Sequence, residues 1–330
     1  MNERFSGYQQ ILAATDFSEC SDGALRRAVW IGQQCASRLV VAHVVTDLRR
    51  AVSRTSYQAR IEFLEGQEER FQRELRRNAD AKLKRMIGAL GETGLAITYE
   101  TLLGEPYVEL IHTVQQENYD LVVAGTRGHS AWKRLVLGST AKRLIRKCPA
   151  SVWIVKHEGS KPPTSILAAI DMSEVSSRAL DEAIWMTHRA GAQLHILHVI
   201  ESSDIPSDLL NTKVAGSAHG SLRESIEAEV RRQFDEFLAG RVGDAVNCER
   251  HLSWGSPWQE AVNLANQLRT DLIVLGTVGR SGIQGLLLGN TAENILTHSA
   301  CDVLTVKPAG FVSPITPPTW SLHPGPEKRP

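Results

Sequence analysis

The sequence predicts an α/β fold: two tandem domains, each a doubly wound parallel sheet. Three observations carry this. The chain repeats itself, because GTRGHSAWKRLVLGST at 125–140 and GTVGRSGIQGLLLGNT at 276–291 agree at eight of sixteen positions, where chance gives roughly one. Within each repeat, short apolar β-branched runs alternate with amphipathic helical stretches. The runs lack strict polar alternation, which suits strands covered by helices on both faces.

The repeat offset is 151 residues at the glycine-rich stretches, and it also pairs Gly104 with Gly255, Pro106 with Pro257, Asp120 with Asp271 and Lys156 with Lys307. Nearer each repeat's start the offset is 155, pairing Asp16 with Asp171, Ser18 with Ser173, Leu25 with Leu180, Trp30 with Trp185 and His43 with His198. The second repeat is therefore four residues shorter between its second strand and its glycine loop. A length of 330 residues suits two domains of ordinary size. We expect a first domain over 1–157, a linker at 158–164 where Pro162 and Pro163 break any helix, a second domain over 165–310, and a Pro-rich disordered tail at 311–330.

In the first repeat the strands read as QILAATD (10–16), RLVVAHVV (38–45), LAITYET (95–101), DLVVAGT (120–126) and SVWIVK (151–156). The stretch from Asp22 to Cys35 is a helix with Leu25, Ala28, Val29 and Trp30 on one face. Residues 61–90 form another, with Leu64, Phe71, Leu75, Ala79, Leu83, Met86 and Leu90 at helical spacing. That stripe reads as core, and the Arg and Glu residues between as the solvated face. TAKRLIRK, after Ser139, is a third amphipathic helix.

Composition narrows the function. Lys plus Arg and Asp plus Glu both number 37, which argues against nucleic acid as a partner. No apolar run is long enough to span a membrane, and MNERFSGYQQ has no apolar signal core. Five cysteines without a CxxC point to reduced thiols and a cytoplasmic setting.

Doubly wound sheets bind ligands at the carboxyl ends of strands, where the strand order reverses. Gly125 follows one buried strand and Asp16 ends another, so both belong at that edge if the two strands are neighbours. Gly125 and Gly128 let backbone approach a ligand closely. Gly138, Ser139 and Thr140 open a helix whose free N–H groups attract phosphate. Asp16 suits ribose hydroxyls rather than phosphate. Each feature also has a plainer use: turns employ glycine, Ser139 can cap its helix, and Asp16 can cap the following helix through DFS.

The pattern Gly125, two residues, Gly128, nine residues, Gly138-Ser139, with Asp16 ending ILAATD, resembles the ATP-binding motif of the universal stress proteins. The resemblance covers both repeats to about Pro308 and is closest to tandem members. It implies Rossmann-like sheets of five parallel strands, with strands 151–156 and 302–307 meeting across a pseudo-two-fold axis. It implies an adenine nucleotide, ATP, as cofactor, with the accompaniment of Mg left open. Asp16 would contact the nucleoside, Val44 adenine through its backbone, and Gly125, Gly128, Gly138, Ser139 and Thr140 the ribose and phosphates. Arg127, Lys133 and Arg134 lie in the loop, as phosphate partners or as solvated side chains. The second-repeat counterparts are Asp171, Val199, Gly276, Gly279, Gly289, Asn290 and Thr291. There Asn290 replaces the family's serine or threonine, and Val278, Gln284 and Gly285 replace Arg127, Lys133 and Arg134. Unequal sites are expected, with nucleotide in the first.

No GxxxxGK[ST], HxGH, SGGxDS or GxSxG motif occurs, and no catalytic residue is assigned. His129 sits in the loop without a carboxylate or second histidine beside it. No metal ligands are assigned either, since His195 and His198 fall on opposite faces of a strand and His198 matches His43 in the repeat. Three functions stay open. One is a non-catalytic stress protein whose nucleotide state is read by an unidentified protein partner. Another is a slow ATPase or autokinase using Ser139, Thr140 or a bound metal. The third gives the second domain a less charged, lipid-like ligand, from the uncharged GIQGLLLG and the long region 202–221.

Overall fold

In a computed structural model of the chain the described residues are 4–47, 67–126, 137–156, 161–201, 218–243, 246–278 and 288–316. They belong to two compact units. One comprises the first repeat, 7–162, together with 310–330; the other comprises the second repeat, 163–309, together with 1–6.

The first-repeat unit runs β1 (Gln10–Ala14), α1 (Glu19–Cys35), β2 (Arg38–Val45), α2 (Gln67–Gly88), β3 (Ile97–Leu103), α3 (Pro106–Glu117), β4 (Leu121–Gly125), α4 (Ser139–Lys147) and β5 (Ser151–Val155). Its strands are all parallel, in the order β3-β2-β1-β4-β5. The chain winds outward from β1 to β3 and returns on β1's other side as β4, so the order reverses between β1 and β4. The second-repeat unit runs β6 (Ser165–Ala169), α5 (Glu174–Ala190), β7 (Gln193–Ile200), α6 (Ala218–Leu238), β8 (Cys248–Trp254), α7 (Pro257–Leu268), β9 (Leu272–Gly276), α8 (Asn290–His298) and β10 (Asp302–Val306). Its order, β8-β7-β6-β9-β10, is the same winding, again all parallel.

The apolar runs form these strands because helices on both faces remove them from water. Leu12, Val40, Val122 and Val152 in one unit, and Ile166, Ile196, Val274 and Leu304 in the other, are fully buried. Asp120 and Asp271 pin the entry to the first strand of each repeat. Asp120 accepts from the N–H groups of Gln9 and Gln10 at 2.6 and 3.1 Å, and Asp271 from those of Thr164 and Ser165 at 2.6 and 3.1 Å.

Helix α1 buries Leu25, Ala28 and Val29 as its stripe predicts, and Trp30 packs edge-on against Trp153 with ring centres 6.4 Å apart. Helix α2 departs from expectation. Of its stripe Ala79 and Leu83 are buried, while Phe71 is 49% exposed. At 22 residues the helix is about 33 Å long. The strands beneath it, of 8 and 7 residues, span about 23–27 Å, so its first turns outrun the sheet. Helices α3 and α7 carry no expectation above; their signals are Pro106 and Pro257 in the first helical turn. The tail expected to be disordered begins with residues held on α3. His112 Nε2 donates to the Thr316 carbonyl at 3.1 Å, Gln115 Nε2 to that of Ile315 at 3.4 Å, and Ser313 is buried.

Candidate functional site

The parallel pairing of β1 with β4 sets Ala14 beside Ala124, so Asp16 and Gly125 emerge at the same edge of the sheet. The chain turns sharply after β1. Phe17 has φ 63°, a left-handed conformation that costs an apolar residue about 1 kcal/mol or more. Met172 repeats it in the second unit with φ 61°. The turn is held by Asp16, whose Oδ1 accepts from Ser18 N at 3.1 Å and from Ser18 Oγ at 2.5 Å. Ser18 in turn caps α1, accepting from Ser21 N. The predicted capping role of Asp16 is thus present one step removed: aspartate fixes serine, and serine caps the helix.

His43 braces the turn from β2. Its Nδ1 donates to the Thr15 carbonyl at 2.8 Å, and its ring lies 4.2 Å from that of Phe17. His198 does the same for Ile170 at 2.9 Å, the fold-related role its repeat partner implies. Burial pulls the His43 pKa below 6.5, against the opposing pull of the Thr15 hydrogen bond and of Asp16.

Gly125 has a packing reason. A Cβ there would lie 2.9 Å from the backbone carbon and oxygen of Cys20, in the first turn of α1. A Cβ at Gly276 would meet a side chain of the second repeat's first helix instead, Val175, at 2.8 Å from Cγ1. These two glycines let the first helix of each repeat close onto the strand end, independently of any ligand. Past β4, Gly138 N donates to the Thr126 carbonyl at 2.8 Å, closing the base of the loop; Gly289 and Thr277 form the same bond at 2.8 Å.

Gly138 is also the N-cap of α4, and among the described residues no side chain caps that helix. The first intrahelical bond runs from Lys142 N to Gly138 O, so the N–H groups of Ser139, Thr140 and Ala141 have no helical acceptor. Val44 stands on β2 two residues beyond Ala42, the last partner of β1, so its backbone has no strand neighbour on the β1 side. The first repeat thus brings Asp16, Val44, Gly125, Gly138, Ser139 and Thr140 to one carboxyl edge. Arg127, Gly128, His129, Lys133 and Arg134 lie outside the described residues.

The second repeat places Asp171, Val199, Gly276, Gly289, Asn290 and Thr291 equivalently, while Gly279, Gln284 and Gly285 lie outside the described residues. Asp171 Oδ1 accepts from Ser173 N and Oγ at 3.0 and 2.5 Å, and α8 likewise has no side-chain cap among the described residues. The charge differs. Glu293 stands in the first turn of α8 where Lys142 stands in α4. Across the whole helix α4 has Lys142, Arg143, Arg146 and Lys147 and no acid. A carboxylate in the first turn competes with any anion for the helix N-terminus.

His195 and His198 do face opposite ways. His198 packs near Phe234, whereas His195 meets His251 and Glu249 across the strand. That trio was not legible from spacing along one strand. It is the potential metal-ligating group of three among the described residues.

Built twice in one chain, a five-stranded doubly wound sheet with an acidic turn and a glycine-led helix at its switch point defines a tandem α/β protein. The universal stress protein family model matches residues 7–156 and again 163–307, and the chain belongs to that family in tandem form. Universal stress protein E of Photorhabdus laumondii is 26% identical over 94% of this chain and 98% of its own length. Universal stress protein E of Escherichia coli K12 is 23% identical over 93% and 96%. A universal stress protein structure from Archaeoglobus fulgidus shares the fold with a TM-score of 0.62, at 22% identity over 90% of this chain and 98% of that one. A functionally unknown protein from Pseudomonas aeruginosa PAO1 gives a TM-score of 0.64 at 22% identity, over 92% and 94%.

Proposed function

We propose that the first repeat binds an adenine nucleotide, ATP, between the Asp16 turn and the start of α4, and that the chain acts in the cytoplasm as a non-catalytic sensor or scaffold in stress responses. The observation that carries this reading is the first turn of α4, led by Gly138 and uncapped among the described residues, with no acid in it and Lys142 at its edge, beside Asp16 at the switch point. The donors suit the ligand. N–H groups of residues 139–141 and the hydroxyls of Ser139 and Thr140 match phosphate oxygens, and a carboxylate matches ribose hydroxyls. ATP supplies a charged polyphosphate whose presence or absence changes the charge of this edge. The loop residues Arg127 and Gly128 belong to the proposed site through the family motif. The second repeat, with Glu293 in place of Lys142, is the weaker nucleotide site or takes a less charged ligand.

The test is mass spectrometry of ligand released from freshly purified full-length protein, followed by ATP titration. ATP or ADP at one equivalent, weakened in Lys142→Glu, supports the reading. A chain that is empty and binds no added ATP overturns it. Phosphate release or phosphorylated protein on prolonged incubation would replace the sensor by the slow-enzyme alternative.

A further inference from the structure

The second-repeat unit holds a side-chain cluster that the nucleotide reading does not use. His195 is the third residue of β7, and Glu249 and His251 are the second and fourth of β8. The parallel register puts His195 opposite Glu249, and His251 follows two residues later, so all three share one face of the sheet. His195 Nδ1 lies 3.2 Å from His251 Nε2 and 3.5 Å from Glu249 Oε2, and His251 Nε2 lies 3.8 Å from the same oxygen.

The geometry points to a divalent metal site of two imidazoles and one carboxylate, best suited to Zn2+. Ligand atoms held at about 2.0–2.2 Å from a tetrahedral metal sit roughly 3.3–3.5 Å from one another. The three separations form that triangle to within a few tenths of an ångström. Nitrogen ligands exclude Mg2+ and Ca2+ as preferred occupants, since both favour all-oxygen shells. Without metal, one of the two facing ring nitrogens donates its proton to the other in a hydrogen bond; for a metal to take both lone pairs, the donor ring shifts that proton to its other nitrogen, and both histidines bind as neutral imidazoles with no net loss of protons.

The protein supports such a site unequally, in a useful order. The His195 side chain is 6% exposed, that of His251 25% and that of Glu249 60%. The innermost ligand is fixed in the sheet, and the outermost sits on the edge strand β8, where an ion enters. The fourth position is left for water. Within the second repeat the cluster is separate from the carboxyl edge of the sheet: His195 lies five residues before the end of β7, about 17 Å along the strand.

The experiment uses the full chain, stripped with a chelator and titrated with Co2+ while its visible absorption is followed, then competed with Zn2+. One ion per chain with tetrahedral Co2+ bands, displaced by Zn2+, is the expected result. His251→Gln and Glu249→Gln should each weaken binding by about 10–100-fold or more, since loss of even an outer partner of a metal ligand costs that much. Glu249 is exposed, so its variant tests the site even if the histidine variant folds poorly. Cys248→Ser should leave binding intact, because Cys248 faces the other side of β8. Absence of stoichiometric binding, or binding that survives both ligand variants and is lost with Cys248, overturns the assignment.

Discussion

The Asp16 carboxylate accepts from both the backbone N–H and the hydroxyl of Ser18, at 3.1 and 2.5 Å. Asp171 and Ser173 repeat the relationship at 3.0 and 2.5 Å. The aspartate is therefore a structural turn residue in both repeats, with one carboxylate oxygen of each engaged by its serine. Asp16→Asn keeps one oxygen for the turn, while Asp16→Ala removes the turn as well. We expect Asp16→Ala to cost about 1 kcal/mol of stability and Asp16→Asn much less, with both weakening ATP. Urea unfolding beside ATP titration separates the two effects. A stability loss in Asp16→Asn as large as in Asp16→Ala would refute the assignment.

Gly125 and Gly276 differ in what a side chain would strike. At Gly125 the obstacle is backbone of Cys20, and at Gly276 it is a methyl group of Val175. Backbone yields less readily. Gly125→Ala should destabilise by about 1–3 kcal/mol and Gly276→Ala by less, read as shifts of the urea midpoint. Neither is a clean probe of ligand binding, because each perturbs helix packing directly. Equal and negligible shifts would mean that the helices move apart at little cost.

The charge contrast between α4 and α8 is testable by exchange. Lys142→Glu should lower ATP affinity about five- to tenfold by placing an acid in the first turn, and added salt should shrink the difference. Glu293→Lys should move the second repeat the other way. Affinity unchanged by Lys142→Glu at low salt would place the phosphates elsewhere.

Burial lowers the pKa of both His43 and His112 below the ordinary 6.5. A lowered histidine pKa favours the neutral form in the folded state, so the unfolded chain binds more protons below pH 6.5. Stability from these groups is therefore complete above pH 6.5 and is lost as pH falls through and below it. Chemical unfolding at pH 7.5 and 5.5 should show the decline, and His43→Gln should reduce its slope. A slope unaffected by that substitution would assign the effect to other groups.

Much of this was legible because the chain states it twice. A single Asp-Phe-Ser after a strand is weak, but Asp16 to Ser18 matched by Asp171 to Ser173 marks a required turn. The glycine edge was legible as a position and misleading as a reason: Gly125 reads as room for a ligand, and its contact is Cys20, visible only when α1 folds back onto β4. The α2 stripe has helical period, yet periodicity does not show where the sheet beneath it stops, and Phe71 lies beyond that point. The His195 cluster was hidden because its members are 54 and 56 residues apart and meet only through the register of β7 and β8. Along one strand the eye finds His195 and His198, which the pleat separates.

Residues 310–316 belong with the first repeat, where Thr316 meets His112, and Phe5 belongs with the second, where its ring stands edge-on to Trp185 at 5.7 Å. The two repeats are consequently interleaved along the chain rather than laid end to end. A protease cut or gene split at 158–164 would hand each fragment a terminal piece that completes the other. What began as a duplicated sequence has become inseparable by scissors at its seam, and excised halves are different molecules from the domains they are meant to represent.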